Sequence, residues 1–185
     1  MDRTQILEKQ PRMFIKGTVE NIYGQWVFFD EETEEASPIE KFLHQEIDIL
    51  QHNRWRRGIL LNNNILSFGK EVHYLQNEET IRVRKQISYS LSELINEIND
   101  DAFIQFITTL NALNFSIFDC IYCYNQLKFL GNSPRKTGAN FIIFDNGELI
   151  CNVTHHFNYY EKQHDRFEFT LNIGKRMVIE KINPL

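Results

Sequence analysis

Four groups of residues in this 185-residue chain have types and spacings that could do chemistry. The first is Cys120-Ile121-Tyr122-Cys123. A Cys-x-x-Cys pair becomes reactive where it opens a helix after a strand, because the helix dipole lowers a thiol pKa. Here the pair falls about a turn into an apolar segment that reads as a helix, follows another helix, and has Asp119 beside it, which opposes thiolate formation. The expected role is two small core residues, since cysteine is among the most buried residue types.

The second group is Cys151 with His155 and His156. On a strand Cys151 and His155 share a face, but four residues at roughly 3.3 Å each set them about 13 Å apart. One tetrahedral zinc ion cannot bridge that span. His155 and His156, as strand neighbours, point to opposite faces. His155 shares its face with Leu149, Val153 and Phe157 and is expected to be a satisfied core or edge histidine. No metal and no cofactor are expected.

The third group is His164-Asp165, placed in a polar loop from Asn158 to Asp165. The chain has no Gly-x-Ser-x-Gly elbow, His-Glu-x-x-His, Walker loop or Gly-x-Gly-x-x-Gly. A small hydrolase or thiol enzyme built from Cys123 or Cys151 with His156, His164 and Asp165 is the second functional reading, because such groups meet in space and not in sequence. No catalytic residue is assigned.

The fourth group carries the leading reading: Arg54-Trp55-Arg56-Arg57 with Arg82-Val83-Arg84-Lys85. On strands Arg54 and Arg56 share a face, as do Arg82 and Arg84, while Trp55 and Val83 point away. If the two strands lie close, Arg54, Arg56, Arg82 and Arg84, with Trp55 nearby, make one binding patch. The planar guanidinium suits carboxylate or phosphate because it binds bidentately.

The elements that would position these groups fall into two halves. Residues 13 to 29 read as a hairpin turning at Tyr23-Gly24. The run Asp30 to Glu35 holds five carboxylates in six residues and reads as a solvated loop without EF-hand spacing. Ser37-Pro38-Ile39-Glu40 carries helix-start signals, with a strand favoured from about Glu46. Turn-punctuated strands then run from Trp55 to Lys85, which suggests a small SH3-like barrel. From Ser90 the period becomes helical. A capping box at Ser90-Leu91-Ser92-Glu93 opens one helix, a second follows Asn99-Asp100, and a third runs from Ser116 to Gly131. Four antiparallel strands close the chain, with Asn146-Gly147 in the first hairpin and Phe167, Phe169 and Leu171 facing the helices.

The expected fold is therefore α+β: residues 1–88 as a β-rich barrel-like module, and residues 89–185 as three helices packed on a four-stranded meander. Apolar residues are 42% and charged residues 24%, enough for a core and unlike a disordered chain. The formal charge is −5, divided as −2 over residues 1–88 and −3 over 89–185. A whole-protein basic footprint for nucleic acid is absent. Three cysteines cannot make a disulfide framework, and the first dozen residues carry charges of both signs where a signal peptide would be apolar. These features predict a soluble cytoplasmic protein without a membrane span. The leading function is non-enzymatic binding of an acidic protein partner through the arginines, with nucleic acid at the same arginines as a further alternative.

Overall fold

A computed structural model describes residues 2–184. By contacts the chain divides into two compact units, one of residues 13–85 and one of residues 1–12 with 86–185. Strand occupies 48% of the chain and helix 21%.

The first unit is an all-antiparallel sheet. Its strands are β1 (Phe14–Ile22), β2 (Gln25–Asp30), β3 (Ala36–Pro38), β4 (Glu46–Gln51), β5 (Arg54–Asn62), β6 (Ile65–Ser67), β7 (Val72–Tyr74) and β8 (Glu79–Arg84). They are ordered β3-β2-β1-β8-β4-β5-β6-β7. The hairpin at Tyr23-Gly24 turns with both residues at positive φ, 52° and 89°, a twist that suits a two-residue loop. Ile39–Phe42 is a single 3-10 turn with no side-chain cap, so the expected helix shrinks to it and β4 starts at Glu46. No barrel closes. The end strands β3 and β7 have three residues each, and neither offers the length of ladder that closure requires. One face of the sheet holds the core, with Val19, Phe28, Ile47, Ile49, Leu60 and Ile81 buried.

The second unit starts with a short helix, α1 (Arg3–Leu7), for which the sequence offered no strong periodicity. Arg3 ties it down through Asp100 at 2.6 Å and the Ile98 carbonyl at 2.8 Å. Arg12 forks onto the buried carboxylate of Asp119, at 2.7 Å from Oδ2. Helix α2 (Tyr89–Glu97) is capped by Ser88, whose hydroxyl accepts from Leu91 N–H, and not by Ser90. Helix α3 (Asp100–Ala112) is capped by Asn99, with Asp100 and Asp101 in the first turn complementing its dipole.

The expected third helix over 116–131 is absent. Ile117–Asp119 forms a 3-10 turn, Cys120–Tyr124 is strand β9, and only Gln126–Phe129 is helical, as α4. Ser116 and Asp119 cap the N-terminus of this turn reciprocally, and the chain leaves it at once because Cys120 is already extended, with φ −68° and ψ 119°. The next residues, Ile-Tyr-Cys-Tyr, are β-branched or aromatic in majority and pair with the following strand. Strands β10 (Lys136–Asp145), β11 (Ile150–Tyr159), β12 (Lys162–Leu171) and β13 (Arg176–Pro184) complete a sheet ordered β13-β12-β11-β10-β9. The four-stranded meander is present, with β9 added as a fifth strand. The β10–β11 turn spans residues 146–149, with Gly147 at φ 86° and its N–H held by Asp145. Phe106 of α3 stacks on Phe167 at 5.1 Å between ring centres and lies 6.1 Å from Phe169, so the period-2 stripe faces the helices as expected.

Candidate functional site

The most developed polar constellation lies inside the second unit. Asn140 on β10, His155 on β11 and Asp165 on β12 are all fully buried. The Leu127 N–H of α4 donates to the Asn140 carbonyl oxygen at 3.1 Å, which aims the amide nitrogen at His155 Nδ1, 3.0 Å away. An amide nitrogen only donates, so Nδ1 accepts and the imidazole proton sits on Nε2. Nε2–H then donates to Asp165 Oδ1 at 2.8 Å. Tyr159 donates its hydroxyl to the same oxygen at 2.5 Å, and the Asn99 amide donates to Oδ2 at 3.2 Å. His155 stacks on Phe167 with ring centres 4.2 Å apart.

Burial holds the His155 pKa below its ordinary value, outweighing the pull of Asp165. Burial, then Asp165, pushes the Tyr159 phenol well above its usual range. The pair resembles the His–Asp half of a hydrolytic triad, but Asn140 occupies the nitrogen that would face a nucleophile. Its chemistry is positional. One chain of hydrogen bonds links the start of α4, three strands and the cap of α3. Gly138 belongs to the same joint: a Cβ there would meet Gln126 Oε1 at 2.4 Å, and that oxygen accepts from Ala139 N–H.

Among the described residues no hydrogen bond joins a thiol to a histidine or a carboxylate; Cys120 donates to the Tyr122 carbonyl and Cys151 to that of Asn152. Cys120 and Cys123 sit on β9, half-buried, and not in a helix. Burial raises Cys120 to about 11, Cys123 to about 12 and Cys151 to about 11, so all three are protonated thiols at neutral pH. Among the described residues no group of three or more His, Cys, Asp or Glu could hold a metal ion. No helix there is long and apolar enough to cross a membrane. His164 is on β12, where it pairs with Glu180 at 2.5 Å, and His156 faces outward 3.8 Å from Glu168. The expected loop from Asn158 to Asp165 is therefore strand, broken only at residues 160–161.

The four arginines of the expected patch are split between the two faces of the first sheet. Strand β4 lies between β5 and β8, with Arg56 opposite Ile49 and Arg82 opposite Asp48. Consecutive positions on β4 face opposite ways, so Arg54 and Arg56 share the face of Ile49, while Arg82 and Arg84 share that of Asp48. Arg54 is exposed. Arg56 lies over the Phe68 ring at 3.8 Å and pairs with Glu71. Trp55, expected to turn away, is on the face of Arg82.

That face assembles a different set. Asp48, buried, takes Arg57 Nε on Oδ1 and Arg82 Nε on Oδ2, each at 2.9 Å. The Arg82 guanidinium lies between two rings, 4.1 Å from Phe14 and 4.3 Å from Trp55. Lys16 is opposite Arg82 and Arg84 opposite Phe14. Lys16 pairs with Glu31 at 2.6 Å, which places the acidic turn along one border of this face. Asp30 anchors that turn by accepting from the Glu32 and Thr33 N–H groups.

A family model described as a protein of unknown function, DUF2777, matches residues 1–181, a span that includes nearly all of both units. The chain belongs to the DUF2777 family. It is similar to the uncharacterized protein YisN of Bacillus subtilis (strain 168), with 29% identity over 189 residues, covering 97% of this chain and 91% of that protein. No solved structure matches it.

In this DUF2777 chain the residues missed from sequence had a signal in strand parity. Asp165 precedes Phe167, Phe169 and Leu171 at the same two-residue step, so extending the buried stripe back by one position places its carboxyl inside. Arg54 and Arg56 are in step with buried Leu60, and Arg82 and Arg84 out of step with buried Ile81 and Val83. That mismatch separates the two pairs.

Proposed function

We propose that this chain is a non-catalytic binding protein whose first unit presents Trp55, Arg57, Arg82 and Arg84, with Lys16 beside them, to an acidic protein partner. The observation that carries the reading is the layer built around Asp48. One buried carboxylate and two aromatic rings hold Arg82 in place and orient Arg57 at the surface, which lowers the entropy cost of forming bidentate contacts. Arg84 has no ion-pair partner among the described residues and lies on the same face. A protein partner fits better than nucleic acid because the chain carries a formal charge of −5 and the acidic turn borders this face. Such a pattern would admit a patterned protein surface and repel an extended polyanion.

The parity of the arginines supplies an internal control for the test. Full-length protein is used as bait in its native cell, and captured protein and nucleic acid are identified for the wild type, R57Q/R84Q and R54Q/R56Q. The expected result is an acidic protein lost from the first variant, kept by the second, and weakened by added salt. Retention by R57Q/R84Q, loss only with R54Q/R56Q, or recovery of nucleic acid in place of protein would overturn the reading.

A further inference from the structure

We propose that the free edge of β9 is a docking surface for a second copy of this chain, joined edge to edge about a two-fold axis. A strand at the end of a sheet exposes unpaired backbone groups that template pairing, and proteins guard such edges with charge, proline or short length. The other sheet ends in this molecule are guarded. β13, at the opposite end of the same sheet, carries Arg176, Glu180 and Lys181. In the first unit β3 and β7 are three residues long, and β3 ends at Pro38. β9 has five residues, Cys-Ile-Tyr-Cys-Tyr, with no charge and no proline.

Apolar side chains cluster around that edge. Phe129 is 78% exposed and Ile121 64%, and Tyr122, Tyr124 and Phe141 are exposed beside them. Tyr124 lies 6.2 Å from Phe129 and 6.3 Å from Phe141 between ring centres. With roughly 200 Å² for a full side chain of this size, the five leave about 550 Å² open on each copy. Phe141 lies on β10, one strand in from the edge, so two paired copies cover part of the about 1,100 Å² that these side chains expose together, an area at the lower limit of roughly 1,000 Å² for a specific interface that the new backbone ladder supplements. A second copy is the occupant because the patch is self-complementary. An uncharged strand meets itself in antiparallel register without like-charge repulsion, and a two-fold contact closes on itself so that no filament grows. A charged partner would find no counter-charge on this strand.

Sedimentation equilibrium of the full chain tests this across concentration for the wild type, Y122K and F129K, with circular dichroism as the check on folding. The wild type is expected to approach about 44 kDa, twice the 22.1 kDa of one chain, and each lysine variant to remain at 22.1 kDa with an unchanged spectrum. Phe129 is the more exposed position, so F129K decides the matter if Y122K unfolds. R57Q/R84Q should sediment like the wild type, which separates this surface from the basic face. A wild type that stays at 22.1 kDa at the highest attainable concentration, a dimer that survives F129K, or a mass that climbs past two copies would overturn the proposal.

Discussion

The two sheets treat their charged groups in opposite ways. The second unit seals His155 and Asp165 in its core and satisfies them with Asn140, Tyr159 and Asn99. The first buries a single carboxylate, Asp48, just beneath the surface and uses it to orient arginines that remain in contact with water. A fully satisfied buried network specifies how elements pack, because each donor and acceptor has one place to go. A buried carboxylate beneath partly exposed guanidiniums instead orders a surface. On the function proposed above, the network of the second unit serves structure and the Asp48 layer of the first unit serves recognition.

If the sealed network holds the second unit together, removing its centre should have one of the largest effects in the molecule. Asp165→Ala leaves His155, Tyr159 and Asn99 facing an empty site and should cost about 3–5 kcal/mol, read by denaturant unfolding. Phe169→Ala, in the apolar layer beside it, should cost a similar amount, about 3–5 kcal/mol. Near-wild-type stability for Asp165→Ala would remove the contrast between the two sheets.

Acid sharpens the same contrast. Burial depresses the His155 pKa in the folded state, so the unfolded chain takes up this proton first as pH falls. The stability linked to His155 is therefore fully present above the ordinary value of 6.5 and is lost as pH is lowered from there through the folded-state pKa. One proton corresponds to a slope of at most about 1.4 kcal/mol per pH unit. His155→Gln should flatten that part of the pH–stability curve. An unchanged slope in His155→Gln would place the acid sensitivity elsewhere.

The effect expected in the first unit is smaller. Asp48→Asn keeps a polar group between Arg57 and Arg82 but removes the charge, and should cost about 1–2 kcal/mol because Arg57 is half exposed to water. Its larger consequence should be weaker partner binding, since the guanidiniums lose their anchor. Arg57→Gln and Arg84→Gln should each change stability by within about 0.5 kcal/mol while reducing partner binding. A stability loss as large as that of Asp165→Ala would make this face part of the core rather than a surface.

Local patterns in the sequence carried much of the architecture. Phe167, Phe169 and Leu171 alternate without interruption, and the helix opened by Asn99 and Asp100 has both a cap and an apolar face. Residues 117–131 misled because a run apolar on most sides has no period, so a buried helix and a pair of short elements look alike. The strand there depends on pairing with β10, an interaction that no local window contains. The open sheet in place of a barrel has the same origin, since strand order joins residues far apart in the chain. The arginine patch required β5 and β8 to present one face to a partner. β4 lies between them and its register decides the faces, whereas parity against Leu60, Ile81 and Val83 already held that information.

The most direct test of the proposed recognition surface is amide chemical-shift mapping of the full chain, titrated with the acidic protein captured by the wild type and, in parallel, with a poly-glutamate peptide. Shifts are expected to concentrate at residues 14–18, 46–57 and 80–84, to shrink in R57Q/R84Q and with added salt, and to leave the amides of His155 and Asp165 unmoved. Shifts centred on residues 140–168, or none on the face of Arg57 and Arg82 when the partner is bound, would contradict it.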